Sequence, residues 1–418
     1  MSHEAKQKAA FFRDSGWLMI ANIVGGALMM GVHFLSRQVS DLEYGTVGAL
    51  LGATIIIPSI PLQMIFTRET AAGLALGNTR PLATKTRQSV LGLFGLWLLL
   101  LAVVVAKQGS IMEHWKITSP LTLWLFMLIM LIALMTPVFG GLLQGKQDFF
   151  WLGWTMMLNA FLRIGVAAFV IFFVAKSAMG FMAGVFAGSA AVLFIMMWKT
   201  REIWSGPSEP VAIAPFLREV TPLMIGFGAC QLLFCFDTII VGRFFTDPHT
   251  SWYASAGTLS RALMWLVLPL VSVMFPKLVH NTAKSEKSNV FGLTLLLTAG
   301  LAIVAGVGLS LLGSLAVKIV YGEARVAGTM SIIPWFAAAM VPLTLANVIV
   351  NGLLAKGDFR MVPWLGILAG GYAVTLWLWH PDLVTVLKTL GGFTSAMFLV
   401  GALYTWLLPA KPKVTKAG

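Results

Sequence analysis

FDTIIVGRFFTDPHTSWYASAGTLSRALMWLVLPLVSVMFPKLV, residues 236–279, is the stretch that decides the fold. Two apolar runs lie on either side of the polar turn TDPHTS, and with their flanks they predict helices near 218 to 241 and 252 to 276. Each run reaches the roughly 20 mostly apolar residues that a membrane-spanning helix needs. Each also carries a charge, Asp237 in the first and Arg261 in the second. The stretch therefore predicts two membrane helices with ionisable groups inside them.

The same pattern recurs along the whole chain. Its 418 residues are 58% hydrophobic and 11% charged, and the mean hydropathy is +0.87, which is far from the composition of a soluble domain. The polar, basic N-terminus shows no cleavable signal peptide. We interpret the chain as an all-α integral membrane protein. Windows of about 19 residues predict spans near 15–36, 46–66, 88–106, 120–142, 149–174, 178–198, 218–241, 252–276, 289–313, 329–353, 359–379 and 389–409.

The basic residues indicate an orientation and not a nucleic-acid partner. The net charge is +13, yet the Lys and Arg residues lie in loops and form no stripe with interleaved aromatic residues. Of the 29 Lys and Arg residues, nineteen fall on the side that holds both termini and eight on the other side. Because cytoplasmic loops carry the excess of Lys and Arg, both termini are predicted to be cytoplasmic.

An internal repeat divides the chain into halves. The motif Tyr44-x3-Gly48 recurs as Tyr253-x3-Gly257. The segment GLLQGKQDF from Gly141 is matched by GLLAKGDF from Gly352, which is one residue shorter, and the offsets are 209 to 211 residues. Since each half contains six predicted spans, the halves have the same orientation, which is a parallel repeat. The predicted organisation is an N-terminal six-helix lobe at 1–198, a cytoplasmic linker at 199–217 and a C-terminal six-helix lobe at 218–418.

Charged residues within the spans are the candidate substrate-binding residues. A charge at the centre of a span costs about 2.5–3.5 kcal/mol, so such residues usually face a bundle interior or a wet cavity. The alternatives are an Arg that extends to the interface and an ion pair that only fixes packing. Arg37, at the end of the first span, is either an interfacial anchor or part of the same site. The candidates are Arg261, Arg37, Arg163 and Asp237.

Several function classes are disfavoured. The sequence has no GxxxxGK[ST] phosphate loop, no HExxH motif and no Cys or His cluster with metal-ligand spacing. We therefore predict no cofactor, no metal site and no nucleotide hydrolysis by the chain itself. No long extracytoplasmic loop is present to carry a catalytic site, so the sequence favours a transporter over an enzyme.

Three segments carry a family resemblance: LSRQVSDLEYGTVGALLG from Leu35, GLLQGKQDF from Gly141, and above all residues 236–279. The chain resembles the polysaccharide biosynthesis and O-antigen flippase branch of the multidrug, oligosaccharidyl-lipid and polysaccharide exporter superfamily. The resemblance implies about twelve helices in two six-helix lobes around a central cavity, working by alternating access. In that family, basic residues of the cavity receive a pyrophosphate, and Arg37 and Arg261 match this role by position.

The resemblance therefore implies a flippase for a polyprenyl-pyrophosphate-linked oligosaccharide in a bacterial inner membrane. Its expected partners are this lipid-linked substrate, membrane lipids and a coupling ion, H⁺ or Na⁺, and the protein is expected to be a monomer. The first alternative is an ion-coupled multidrug exporter of the same superfamily, for which the first six spans lack a deep acidic residue. The second alternative is a membrane-embedded sugar polymerase.

Overall fold

Twelve long α-helices account for most of the described chain. The computed structural model describes residues 3–40, 43, 46–47, 50–51, 54, 57, 59–115, 117–211, 213–246, 249–284 and 289–408. The long helices are α1 (His3–Phe34), α2 (Ser59–Ala75), α3 (Arg80–Ala106), α4 (Pro120–Gly145), α5 (Phe149–Phe173), α6 (Ala178–Lys199), α7 (Ile213–Phe244), α8 (His249–Ala283), α9 (Val290–Tyr321), α10 (Val326–Ala355), α11 (Val362–Leu378) and α12 (Leu383–Ala402). Short helical segments cover Leu35–Gln38, Gln108–His114, Arg201–Trp204, Glu323–Arg325 and Leu403–Leu407.

Each predicted span overlaps one of these helices. In the part of the chain that the structure describes, nine helices are long and apolar enough to cross a membrane, and α11 is a shorter apolar helix. The predicted span at 46–66 lies partly outside the described residues, and α2 continues to Ala75. It continues past the apolar run because Thr67 and Thr70 are buried against α4, and Glu69 pairs with Lys85 at 2.6 Å.

The helices group into two compact units. Unit 1 comprises Met1–Phe216 with Ala283–Ser285, and unit 2 comprises Leu217–Thr282 with Glu286–Gly418. In unit 1, α5 packs against α1 and α6, and α4 packs against α2 and α6. In unit 2, α10 packs against α9 and α12, and α11 packs against α12.

The second repeat motif forms the same turn in both units. Lys146 N–H donates to the Leu142 carbonyl at 2.9 Å, and Asp148 N–H donates to the Leu143 carbonyl at 3.3 Å. The bonds from Lys356 to Gly352 and from Asp358 to Leu353 repeat this pattern, which is a helix C-cap motif, 210 residues later. The residue at the left-handed position of the turn is Gln147 in unit 1, with φ 61°, and Gly357 in unit 2, with φ 71°. Tyr44 and Gly48, the first members of the other motif, lie outside the described residues.

The first part of the predicted linker is attached to α3. Arg87 donates to the carbonyls of Trp204 at 2.8 Å and Gly206 at 2.6 Å, and Thr84 Oγ1 donates to the Glu209 carbonyl at 2.5 Å. These side chains supply donors to backbone carbonyls that have left the helix ladder. Residues 204–209 are therefore held by α3 within unit 1.

Candidate functional site

The candidate site of unit 2 starts from a repeated spacing in α8. Tyr253, Gly257 and Arg261 are four residues apart, so a helix places all three on one face. The neighbouring helix α7 presents Asp237 and, three residues earlier, Phe234. The sequence thus aligns a phenol, a glycine and a guanidinium on α8 beside a carboxylate on α7.

Arg261 and Asp237 form an ion pair. Arg261 Nη2 lies 2.5 Å from Asp237 Oδ2, and Arg261 Nε donates to the Phe234 carbonyl at 2.9 Å. The Tyr253 hydroxyl donates to the same Asp237 oxygen. The two bonds from Arg261 fix the guanidinium plane, and the three bonds together connect α7 to α8 at a charged, hydrogen-bonded junction.

The guanidinium retains free donors next to an aromatic ring. Among the described residues, two of its five N–H groups have hydrogen-bond partners. The Arg261 guanidinium carbon lies 5.0 Å from the ring centre of Phe336, which is a cation–π distance. A Cβ at Gly257 would lie 2.6 Å from Arg261 Nη1, so the glycine leaves the space that Nη1 occupies.

The side chains of Asp237 and Arg261 differ in how much of their surface is exposed. The Asp237 side chain has no exposed surface, whereas 12% of the Arg261 side chain is exposed. Asp237 Oδ1 is buried and has no hydrogen-bond partner within the described ranges. Asp237 therefore contacts Arg261 and Tyr253 from a fully buried position, and Arg261 is the member of the pair that has exposed surface.

Of the four predicted site residues, Arg261 and Asp237 are in contact in the described structure. Arg37 lies in the 3₁₀ segment Leu35–Gln38 of unit 1, and its side chain is outside the described part of the structure. Arg163 lies half-buried on α5, where its carbonyl faces Gly184 of α6. Both remain predicted substrate-binding residues. No group of three or more His, Cys, Asp or Glu residues that could hold a metal ion occurs in the described ranges.

Two residues of the site were missed by the sequence interpretation. Tyr253 and Gly257 served there only as markers of the repeat, and neither was assigned to the site. The signal was their spacing of four from each other and from Arg261, which predicts one helix face. The pairing of Arg261 with Asp237, which the sequence left as an alternative, is what the structure shows.

The chain is similar to known proteins both in sequence, through a family model, and in structure. The family model described as lipid II flippase MurJ matches residues 82–416. A comparison with curated proteins found no significant match. Similar solved structures include an outward-facing multidrug resistance MATE family transporter of the MOP superfamily, with a TM-score of 0.77, 11% identity, and coverage of 96% of this chain and 94% of that one. A mutant of the Vibrio cholerae MATE transporter VcmN has a TM-score of 0.77, 14% identity, and coverage of 97% and 98%. The eukaryotic MATE transporter AtDTX14 has a TM-score of 0.72, 12% identity, and coverage of 97% and 96%.

The comparisons with solved structures confirm the predicted fold class. The chain has an all-α membrane fold of about twelve helices in two lobes. At such low identity, the likeness to the MATE structures shows the fold alone. The family match is the finding that bears on function.

Proposed function

Because the chain belongs to the MurJ family of lipid II flippases, we propose that it carries lipid II from the cytoplasmic to the outer leaflet of a bacterial inner membrane by alternating access. The observation that carries this proposal is the family match over residues 82–416, about four fifths of the chain. It narrows the sequence-based expectation of a polyprenyl-pyrophosphate-linked oligosaccharide to one lipid. The alternative of a multidrug exporter has no comparable support, since the MATE likeness concerns the fold.

Arg261 is the proposed contact for the substrate pyrophosphate. Its planar guanidinium matches the geometry of phosphate oxygens, it keeps N–H groups without a partner among the described residues, and 12% of its side chain is exposed. Asp237 and Tyr253 act as positioning residues that hold the guanidinium in place. Arg37 and Arg163 are proposed to supply further positive charge in unit 1.

The membrane potential is proposed as the energy source for transport, and a coupling ion is proposed as a second contribution. An anion that moves outward across an interior-negative membrane gains about 2.3 kcal/mol per charge per 100 mV when the carrier does not cancel its charge. The coupling ion is H⁺ or Na⁺, and the buried Asp237 Oδ1 is an acceptor available to it. Transport that is unaffected by collapsing either ion gradient would remove the coupling ion from the proposal.

The proposal also covers the absence of catalysis, the oligomeric state and the membrane topology. The protein acts as a non-enzymatic carrier and as a monomer, with both termini in the cytoplasm. Reporter fusions after Lys199 and near the C-terminus should report the cytoplasm, and fusions near Lys107 should report the outside. A cytoplasmic signal near Lys107 would contradict this topology.

The test is a flipping assay with the purified protein in liposomes loaded with lipid II. The wild type should expose lipid II on the far leaflet, Arg261→Lys should retain partial activity, and Arg261→Ala should lose most of it. Arg243→Ala is the matched control, because Arg243 lies on α7, is exposed and lies over the rings of Phe244 and Trp377.

The two parts of the proposal can fail separately. A folded wild type that leaves lipid II in the leaflet where it was loaded would refute the flippase function. Normal flipping by Arg261→Ala would refute the role of Arg261 and leave the flippase function standing.

A further inference from the structure

Five aromatic side chains form a continuous row across α1, α5 and α6. Trp17 stacks on Phe150 at a centroid distance of 5.5 Å and lies 5.9 Å from Trp154. Phe150 meets Trp151 edge-on at 6.0 Å, and Trp151 meets Trp198 edge-on at 6.4 Å. The Trp17 indole N–H also donates to the Phe150 carbonyl at 3.1 Å. These contacts fix the rings relative to one another, and we call the five residues the aromatic row.

Two cations lie at the Trp198 end of the row. Lys199 Nζ is 4.1 Å from the ring centre of Trp151 and 4.7 Å from that of Trp198, and the guanidinium carbon of Arg201 is 5.8 Å from the Trp198 ring. Within the described ranges, neither cation has a carboxylate at ion-pair distance. The adjacent acid, Glu202, pairs with Lys146 at 3.4 Å. Two positive charges therefore remain uncompensated beside aromatic rings.

At the turn of unit 2 that matches residues 141–149, the cation Arg360 has an acidic partner. Arg360 is paired there with Asp358 at 2.8 Å and lies over the Tyr404 ring at 5.6 Å. Trp364, 210 residues after Trp154, donates its indole N–H to the Tyr404 hydroxyl at 3.0 Å. The two turns share their backbone hydrogen bonds and their aromatic character.

The exposed surface of the row suits a lipid. Phe150 is 56% exposed, Trp154 44% and Trp198 47%, and all three lie at the predicted cytoplasmic ends of their spans. Amphipathic rings at this depth sit at the headgroup level of a bilayer. The cytoplasmic leaflet is the one that carries anionic lipids, which attract Lys and Arg near the surface. The rings match the apolar part of such a lipid, and the two cations match its phosphate.

We propose that the aromatic row, with Lys199 and Arg201, is a binding site for one anionic phospholipid of the cytoplasmic leaflet. The headgroup phosphate contacts Lys199 and Arg201, and the upper part of an acyl chain lies along the exposed rings. The residues of this site all lie in unit 1. It is separate from Arg261, so it does not depend on the proposed transport role.

The test is native mass spectrometry of the full-length protein in detergent with added phosphatidylglycerol or phosphatidylcholine. The wild type should bind one phosphatidylglycerol more tightly than any phosphatidylcholine. The double variant Lys199→Gln plus Arg201→Gln should bind that lipid about 30-fold more weakly, since it loses two cations near the phosphate. Trp198→Ala, which keeps both charges, should also weaken binding.

The control variant removes the same charge elsewhere. Lys388→Gln plus Arg325→Gln also removes two cations, and Lys388 likewise lies over an exposed tryptophan, Trp335, at 4.9 Å, but on the predicted outer side. This control should leave phosphatidylglycerol binding unchanged. An equal loss in the control, or equal binding of both lipids by the wild type, would overturn the proposal. Thermal unfolding without added lipid checks that each variant is folded.

Discussion

The contact between α2 and α4 in unit 1 and the contact between α7 and α8 in unit 2 are buried polar contacts of different kinds. In unit 2, the charged pair Asp237–Arg261 joins α7 to α8. In unit 1, neutral groups join α2 to α4: Gln63 Nε2 donates to Gln144 Oε1 at 2.8 Å, and Thr67 Oγ1 donates to the same oxygen at 3.3 Å. Gln144 and Thr67 are fully buried. A neutral amide contact holds helices together at a small desolvation cost, whereas a buried charge pair costs much more to desolvate.

We expect the amide contact of unit 1 to serve helix packing and the charge pair of unit 2 to serve substrate binding. The amide contact of unit 1 sits where Gly141 and Gly145 bring α4 against the backbone of α2, and it holds that close approach. The charge pair of unit 2 keeps a guanidinium partly exposed beside Phe336, at a cost that packing alone does not require. The two contacts therefore predict different responses to substitution.

The largest expected effect follows from breaking the charge pair. Arg261→Ala leaves the Asp237 carboxylate buried and unpaired, so the free energy of unfolding should fall by about 3–5 kcal/mol. The double variant Arg261→Ala plus Asp237→Ala removes both charges and should recover most of this stability. Thermal unfolding in detergent measures both, and the flipping assay is run on the same samples.

Transport and stability should separate in the double variant. If Arg261 binds the pyrophosphate, the double variant is stable and inactive. If the pair only fixes packing, the double variant is stable and active, and Arg261 is then no substrate contact. A double variant no more stable than Arg261→Ala would contradict the structural pair itself.

The helices could be predicted from the sequence because hydropathy reports the apolar segments directly. Hydropathy does not report where a helix ends, since a helix continues into polar surroundings wherever its backbone bonds are kept. For this reason α7 begins at Ile213 and α8 ends at Ala283, both beyond the predicted spans of 218–241 and 252–276. The contacts of Arg87 with the linker could not be predicted either, because Arg87 donates to backbone carbonyls. Every residue type has such a carbonyl, so the sequence does not mark which ones are bonded.

The site could be predicted only in part. Arg261 and Asp237 stood out because charges are rare inside spans, but their pairing depends on the relative rotation of α7 and α8, which no local pattern encodes. Tyr253 and Gly257 are ordinary residues for a membrane helix, and their role appears only once the face of α8 is known. The role of Arg37 and Arg163 stays a prediction.

The second largest effect compares one glycine from each unit. A Cβ at Gly141 would lie 2.5 Å from the Gln63 carbonyl oxygen, so Gly141→Ala must move the backbone of α2 or α4 and should cost about 1–3 kcal/mol. A Cβ at Gly257 meets the flexible end of Arg261 instead. Gly257→Ala should therefore displace the guanidinium and lower flipping more than stability.

Thermal unfolding and the flipping rate are measured for Gly141→Ala and for Gly257→Ala, so that the two units can be compared. Gly141→Ala should lower the unfolding temperature more, and Gly257→Ala should lower the flipping rate more. The reverse order would show that unit 1 limits transport and that Arg261 tolerates displacement.

A smaller effect is expected from the amide contact of unit 1. Gln144→Leu leaves the Gln63 amide without its acceptor, and hydrogen bonds between membrane helices contribute about 0.6–1.7 kcal/mol. The double variant Gln63→Leu plus Gln144→Leu leaves neither amide unsatisfied and should be closer to the wild type in thermal unfolding. A loss of flipping with unchanged stability in either variant would break the division between packing and substrate binding.

The smallest effect concerns the loop that follows α10, where Arg360 donates to Asp358 Oδ1 at 2.9 Å and Oδ2 at 2.8 Å. These bonds hold the pKa of the Asp358 carboxyl below its usual value. A carboxyl whose folded pKa is lowered contributes stability above its unfolded pKa of about 3.9, and that stability is lost as the pH falls through the folded pKa. Asp358→Asn should therefore lower the unfolding temperature slightly at about pH 7, by less than the other changes because Arg360 is half-exposed. The difference from the wild type should shrink once the pH falls below about 3.9, and Arg360→Gln should reproduce it. A difference that stays constant with pH would instead assign the effect to the bond that the Arg360 backbone N–H donates to Asp358 Oδ1 at 3.2 Å.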